Sequence, residues 1–76
     1  MSDLDETRAK WRQVYEVIRS RIADGTYPVG SRIPSVVQLV EEFGIASATA
    51  QKVMRALRAD GIIRTEPGMG SFVEKL

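Results

Sequence analysis

The chain contains no cysteine and no histidine. Without thiols there is no disulfide and no thiolate nucleophile, and without imidazole the usual base near neutral pH and the usual nitrogen ligand of zinc are both missing. Only carboxylates remain to hold a metal or take a proton, and the ten Asp and Glu are scattered along the chain. No catalytic or metal-binding constellation forms from them, so neither enzyme chemistry nor a cofactor is expected. Long hydrophobic runs are missing too, since nothing approaches the roughly 20 apolar residues of a membrane span. The start Met1-Ser2-Asp3-Leu4-Asp5-Glu6 lacks the cationic head and apolar centre of a secretory signal. A soluble cytoplasmic protein without a membrane partner is expected. Net charge is nearly absent, with eleven Lys and Arg against ten Asp and Glu, so any electrostatic preference for a partner has to be local.

What is present describes one small folding unit. Seventy-six residues, 43% hydrophobic and 28% charged, have the composition of a globular chain and the length of a single domain. A domain this short buries only about 60% of its unfolded surface, so a deep substrate cavity is not expected and function belongs on the outside.

Residues 1–6 read as a flexible acidic tail, and residues 7–76 as the domain. From Arg8 to Asp24 the apolar residues Trp11, Val14, Tyr15, Ile18 and Ile22 recur at three and four, the period of a helix with one buried stripe. Gly25 ends it and Thr26-Tyr27-Pro28-Val29-Gly30 forms a loop. Ser31-Arg32-Ile33 is a short edge strand that Pro34 stops. Ser35 with Gln38 makes a capping box for a second helix from about Val36 to Phe43, whose inward residues are Val36, Leu39, Val40 and Phe43. After the turn Gly44-Ile45-Ala46, a third helix runs from about Ser47 to Ala59 and buries Ala50, Val53, Met54 and Leu57. Ile62–Thr65 and Ser71–Glu74 read as strands joined by the loop Glu66-Pro67-Gly68-Met69-Gly70. The fold class is therefore α+β, mainly α: a winged helix-turn-helix of three helices, a C-terminal β-hairpin wing and a short edge strand.

Local charge is concentrated where that fold presents its recognition element. Lys52, Arg55 and Arg58 meet no acid between Ser47 and Ala59, and Arg64 follows on the wing, with Asp60 the one anion in the span. Three cations on a helix are usually no more than a solvated face, but their place on the second helix of a helix-turn-helix favours duplex DNA. An α-helix fits the major groove, its N-terminal residues reach base edges, and cations neutralise phosphates. Ser47, Thr49, Gln51 and Lys52 are placed to read bases, with Arg55 beside them and Arg32 and Arg64 as phosphate contacts. Ser35 is a helix cap first and a phosphate contact second. Gly68 and Gly70 form the turn, or let the backbone approach a sugar or phosphate closely. Trp11 and Tyr15 belong to the core stripe.

These fragments together are familiar. Tyr27-Pro28-Val29-Gly30-Ser31-Arg32-Ile33-Pro34-Ser35, Leu39, Gly44-Ile45, Thr49, Ala56-Leu57-Arg58, Asp60-Gly61-Ile62-Ile63 and Gly68-Met69-Gly70-Ser71-Phe72-Val73 resemble the DNA-binding domain of the GntR family of bacterial transcription regulators, over residues 28–73. The resemblance implies binding of double-stranded operator DNA as a dimer on a two-fold site, usually as a repressor. Three departures accompany it. Where the family commonly reads Ser-Arg-x-Thr-Val, this chain has Ala46-Ser47-Ala48-Thr49-Ala50, so a DNA-contacting arginine is replaced by Ser47, which is left to cap the third helix. Val36-Val37 stand where Glu-Arg is frequent, with Val37 off the buried stripe. Glu66, Pro67 and Met69 make the wing less basic. Regulators of this family usually continue into an effector-binding C-terminal domain, and the sequence reads equally as a domain of such a longer regulator or as a short regulator. A monomer in solution is expected, which dimerises through its own surface, helix 1 or Val37, or pairs only on a two-fold operator. The competing reading is a protein-interaction module that uses Val36, Val37 and the acidic tail.

Overall fold

Apolar residues at helical spacing build the first element, α1 (Lys10–Ala23), whose inner stripe of Val14, Tyr15, Ile18 and Ile22 is buried. The computed structural model describes residues 9–74; the acidic tail expected at residues 1–6 and the start of helix 1 at Arg8 lie outside them. Asp24 is the C-cap, one residue inside the expected end, and Gly25 follows at φ +89°. The second helix, α2 (Val36–Phe43), has the expected limits. Gln38 N–H donates to Ser35 Oγ at 3.2 Å and Ser35 N–H donates to Gln38 Oε1 at 2.8 Å, which satisfies two amides that the helix itself cannot. Of its four inward residues only Leu39 is fully buried; Val36, Val40 and Phe43 pack against the core from its margin.

The third helix, α3 (Ser47–Ala59), buries Ala50, Val53, Met54 and Leu57 as the spacing predicts. Its start differs. Ala46 occupies the N-cap, no side chain caps the helix, and Ser47 is already helical, so Ser47 does not take the capping role expected of it. The cap is set by backbone conformation, extended at Ala46 (φ −71°, ψ 154°), and that residue carries no oxygen to offer.

The wing is the antiparallel pair β1 (Ile63–Glu66) and β2 (Gly70–Val73). Glu66 pairs with Gly70, which shortens the expected five-residue loop to Pro67-Gly68-Met69, closed by Met69 N–H donating to the Glu66 carbonyl at 2.9 Å. Gly70 can join the strand because its φ of +121° is accessible to glycine. The short edge strand is reduced to a single bridge, Arg32 opposite Phe72. Ile33 N–H donates to the Ser71 carbonyl at 3.0 Å and Val73 N–H to the Ser31 carbonyl at 2.9 Å, after which Pro34 brings no N–H to continue the ladder.

Ile18, Leu39, Leu57, Val14, Val53 and Val73 are the largest fully buried side chains, drawn from all three helices and the wing. Truncating any such Leu to Ala costs about 2–5 kcal/mol, so the elements hold one another in place. No helix among the described residues is long and apolar enough to cross a membrane.

Candidate nucleic-acid interface

Helical geometry divides the exposed surface of α3 into two flanks and a crest. Ser47, Gln51 and Arg58, spaced by four and seven, lie on one flank; Ala48 and Arg55 form the crest; Thr49 and Lys52 lie toward the other flank. Each flank closes a shallow depression against a different neighbour.

On the wing side the depression is about 610 Å³, lined among others by Arg32, Ser35, Gln38, Arg58, Thr65 and Gly70. Arg58 Nη1–H donates to Thr65 Oγ1 at 3.3 Å, and Thr65 in turn lies 3.1 Å from Ser71 Oγ. The Arg32 guanidinium carbon sits 5.7 Å from the centre of the Phe72 ring. The same side chain crosses Gly70 so closely that a Cβ there would lie 3.1 Å from Arg32 Nε. Glycine at position 70 therefore serves the wing's conformation and the path of Arg32 together.

On the α1 side a depression of about 370 Å³ is lined by Lys10, Trp11, Ala48, Thr49, Lys52 and Arg55. The Lys52 ammonium stands 5.0 Å from the centre of the Trp11 ring, within cation–π range. Trp11 meets Tyr15 edge to face at 6.1 Å, and Tyr15 donates its hydroxyl hydrogen to the Asp60 carboxylate at the C-cap of α3. Burial, reinforced by that hydrogen bond, raises the Tyr15 phenol above its ordinary pKa.

Charge is distributed unevenly between these groups. Arg32, Lys52, Arg55 and Arg58 make no ion pair among the described residues, whereas Arg64 donates to Glu66 at 2.8 Å and to Glu74 at 2.9 Å while lying over Phe72. Those carboxylates raise the Arg64 pKa and also cancel much of its field. Of the residues singled out from the sequence, Arg32, Ser35 and Gly70 gather at the wing depression, and Thr49, Lys52 and Arg55 gather at the α1 depression. Ser47 and Gln51 are exposed between α2 and the crest, Gly68 stands at the wing tip with open space around it, and Arg64 belongs to its own ion-pair cluster. Arg58, Thr65 and Lys10 join the surface without having been singled out as contacts. Arg58 was legible as a cation on the exposed face, but Lys10 gave no signal, because its approach to α3 is a tertiary contact between distant segments.

A helix pair joined by a short turn, with an acid-free second helix and an antiparallel hairpin beside it, defines the winged helix-turn-helix class. The chain belongs to the GntR family of bacterial regulatory proteins, whose sequence pattern matches residues 10–73. It is 35% identical over 63 residues to the histidine utilization repressor of Pseudomonas putida, covering 83% of this chain and 25% of that one. Among solved structures, a GntR family transcriptional regulator from Listeria monocytogenes superposes with a TM-score of 0.91 at 26% identity, over 96% of this chain and 64% of that one. The DNA-binding domain of AraR, in complex with operator ORR3, superposes with a TM-score of 0.80 at 33% identity, over 84% of this chain and 77% of that one. The chain spans between 13% and 28% of the length of the first curated relatives it matches.

Proposed function

We propose that the chain binds double-stranded operator DNA in a sequence-dependent way, with α3 in the major groove and the wing tip, residues 66–70, at the minor groove. The observation that carries this reading is the set of cations Lys52, Arg55 and Arg58 along one acid-free helix, with Arg32 bridged to the wing beside them, none of which makes an ion pair among the described residues. The AraR domain of the same fold, which was solved on its operator, supports it. On this reading Gln51 and Arg55 reach base edges, while Ser47, Thr49 and the amides of the uncapped α3 N-terminus meet phosphate. Occupancy of a promoter by such a domain in the bacterial cytoplasm excludes polymerase, so the mode of action is repression, as in relatives named repressors. Two copies bind a two-fold operator and pair there.

The test is selection from a pool of random duplexes of roughly 20–30 base pairs, with affinities measured at about 50 and 200 mM salt. A two-fold-related motif should emerge, affinity should fall by orders of magnitude across that salt range, and Lys52→Glu with Arg55→Glu should abolish binding. No enriched motif, or affinity indifferent to the double reversal, would sink the reading in favour of a protein-interaction module.

A further inference from the structure

We propose that Trp11 is a positioning residue for DNA binding: its indole holds Lys52 on the α1 flank of α3, so that Lys52 joins Lys10 in gripping the phosphate backbone and does not read a base. This rests on the DNA-binding reading above, and it reassigns Lys52 from the base-reading role that its place on the helix suggests.

Lys52 is exposed and makes no ion pair among the described residues, so the Trp11 ring face, 5.0 Å from its ammonium, is the contact that directs its flexible stem. The ring is itself held. It is half-buried against the core and braced edge to face by Tyr15, whose hydroxyl is tied to Asp60. Arg12 shares the same indole, its guanidinium carbon 5.4 Å from the centroid. The ring thus holds Lys52 toward the start of α1, in the depression that Lys10, Ala48, Thr49 and Arg55 also line.

The surface around the held ammonium fits a phosphodiester. Lys10, Lys52 and Arg55 surround it, no acid lines it, and Ala48 and Thr49 are small enough to leave it open. A phosphate strand rising from the groove past the side of α3 meets two lysines there from two different helices. That arrangement also supplies cationic charge near the start of α3, where Ser47 provides none.

The experiment has one arm on the free protein and one on its complex. In the free chain the Lys52 side-chain methylenes should resonate upfield, shielded by the indole face, and the shift should vanish in Trp11→Leu. With duplexes, Lys52→Met should weaken binding to the selected motif and to an unrelated duplex by the same factor. It should also lower the slope of log affinity against log salt by about one, and leave the selected motif unchanged. Trp11→Leu should weaken binding roughly two- to fivefold, the factor an exposed cation–π contact carries. Trp11→Phe should restore most of it, and Trp11→Leu should add nothing in the Lys52→Met background. Thermal melts establish that each variant folds; if Trp11→Leu does not, Trp11→Phe and Trp11→Tyr carry the comparison through Lys52. A Lys52→Met change that relaxes base preference at one position, a missing upfield shift, or additive losses in the double variant would each overturn the proposal. Failure of the wild-type chain to bind any duplex in a manner dependent on Lys52 and Arg55 marks instead the failure of the DNA-binding reading, and the phosphate role falls with it.

Discussion

The Tyr15 hydroxyl on α1 donates to the carboxylate of Asp60, the residue that caps α3 at its C-terminus. One hydrogen bond thereby fixes the far end of α3 to the helix it packs on, 45 residues away in the chain. Tyr15→Phe keeps the ring against Trp11 and deletes the bond, so a loss of about 0.5–1.5 kcal/mol is expected, read as a lower melting temperature. The raised phenol pKa means that the folded state holds the proton more tightly than the unfolded state. That contribution is complete below pH 10 and declines as pH rises through the folded-state value. Denaturant titrations at about pH 8 and pH 11 should show the gap between wild type and Tyr15→Phe narrowing at the higher pH.

Ala46 leaves α3 without a side-chain cap in a backbone conformation that a capping residue would use. Ala46→Ser should stabilise the domain by about 0.5–2 kcal/mol, and Ser35→Ala, which removes half of the α2 capping box, should destabilise it by a similar amount. Thermal unfolding of the two single variants checks both signs. No change on Ala46→Ser would mean that water already serves those amides as well as a hydroxyl does.

Gly70 carries both a φ of +121° and the crossing Arg32 side chain. Gly70→Ala is expected to cost about 1–3 kcal/mol from backbone strain. Its added methyl pushes on the flexible arginine, so affinity for duplex DNA should fall as well, measured on folded protein well below its melting point. A variant that melts early yet binds with wild-type affinity would separate the glycine's conformational role from the placement of Arg32.

Arg58 and Arg64 carry the same charge in different settings. Among the described residues Arg58 makes a long hydrogen bond to Thr65 and no ion pair, while Arg64 lies between two carboxylates. Arg58→Ala should reduce the salt slope of DNA binding by about one, and Arg64→Ala should reduce it by less. Equal effects on the slope would show that Glu66 and Glu74 release Arg64 when DNA arrives.

Periodicity and punctuation made most of the architecture legible. The α2 and α3 limits and the four buried residues of α3 follow from spacings of three and four bounded by Ser35, Gly44 and Gly61, because local chemistry decides them. The exposed cations of α3 were readable for the same reason. The wing was less so: whether Glu66 and Gly70 pair depends on a φ that glycine permits but does not announce. The neutralisation of Arg64 was hidden because Glu66 and Glu74 lie beyond the span in which its charge was counted, and only the hairpin brings Glu74 across to it. Lys10 beside Lys52 was invisible for a related reason, since helix packing rather than spacing sets which flank of α3 faces the start of α1.

The bridge between Arg32 and Phe72 joins the segment that leads into α2 to β2, so that β2 lies between that segment and β1. Gly30, Ile33 and Val73 donate across the same seam, so backbone hydrogen bonds tie the entrance of the helix-turn-helix to the wing. On the proposed DNA-binding reading, little main-chain freedom should be surrendered when a duplex docks. The thermodynamic signature should be a modest entropy penalty confined to side chains and to the DNA, with no coupled folding of the protein.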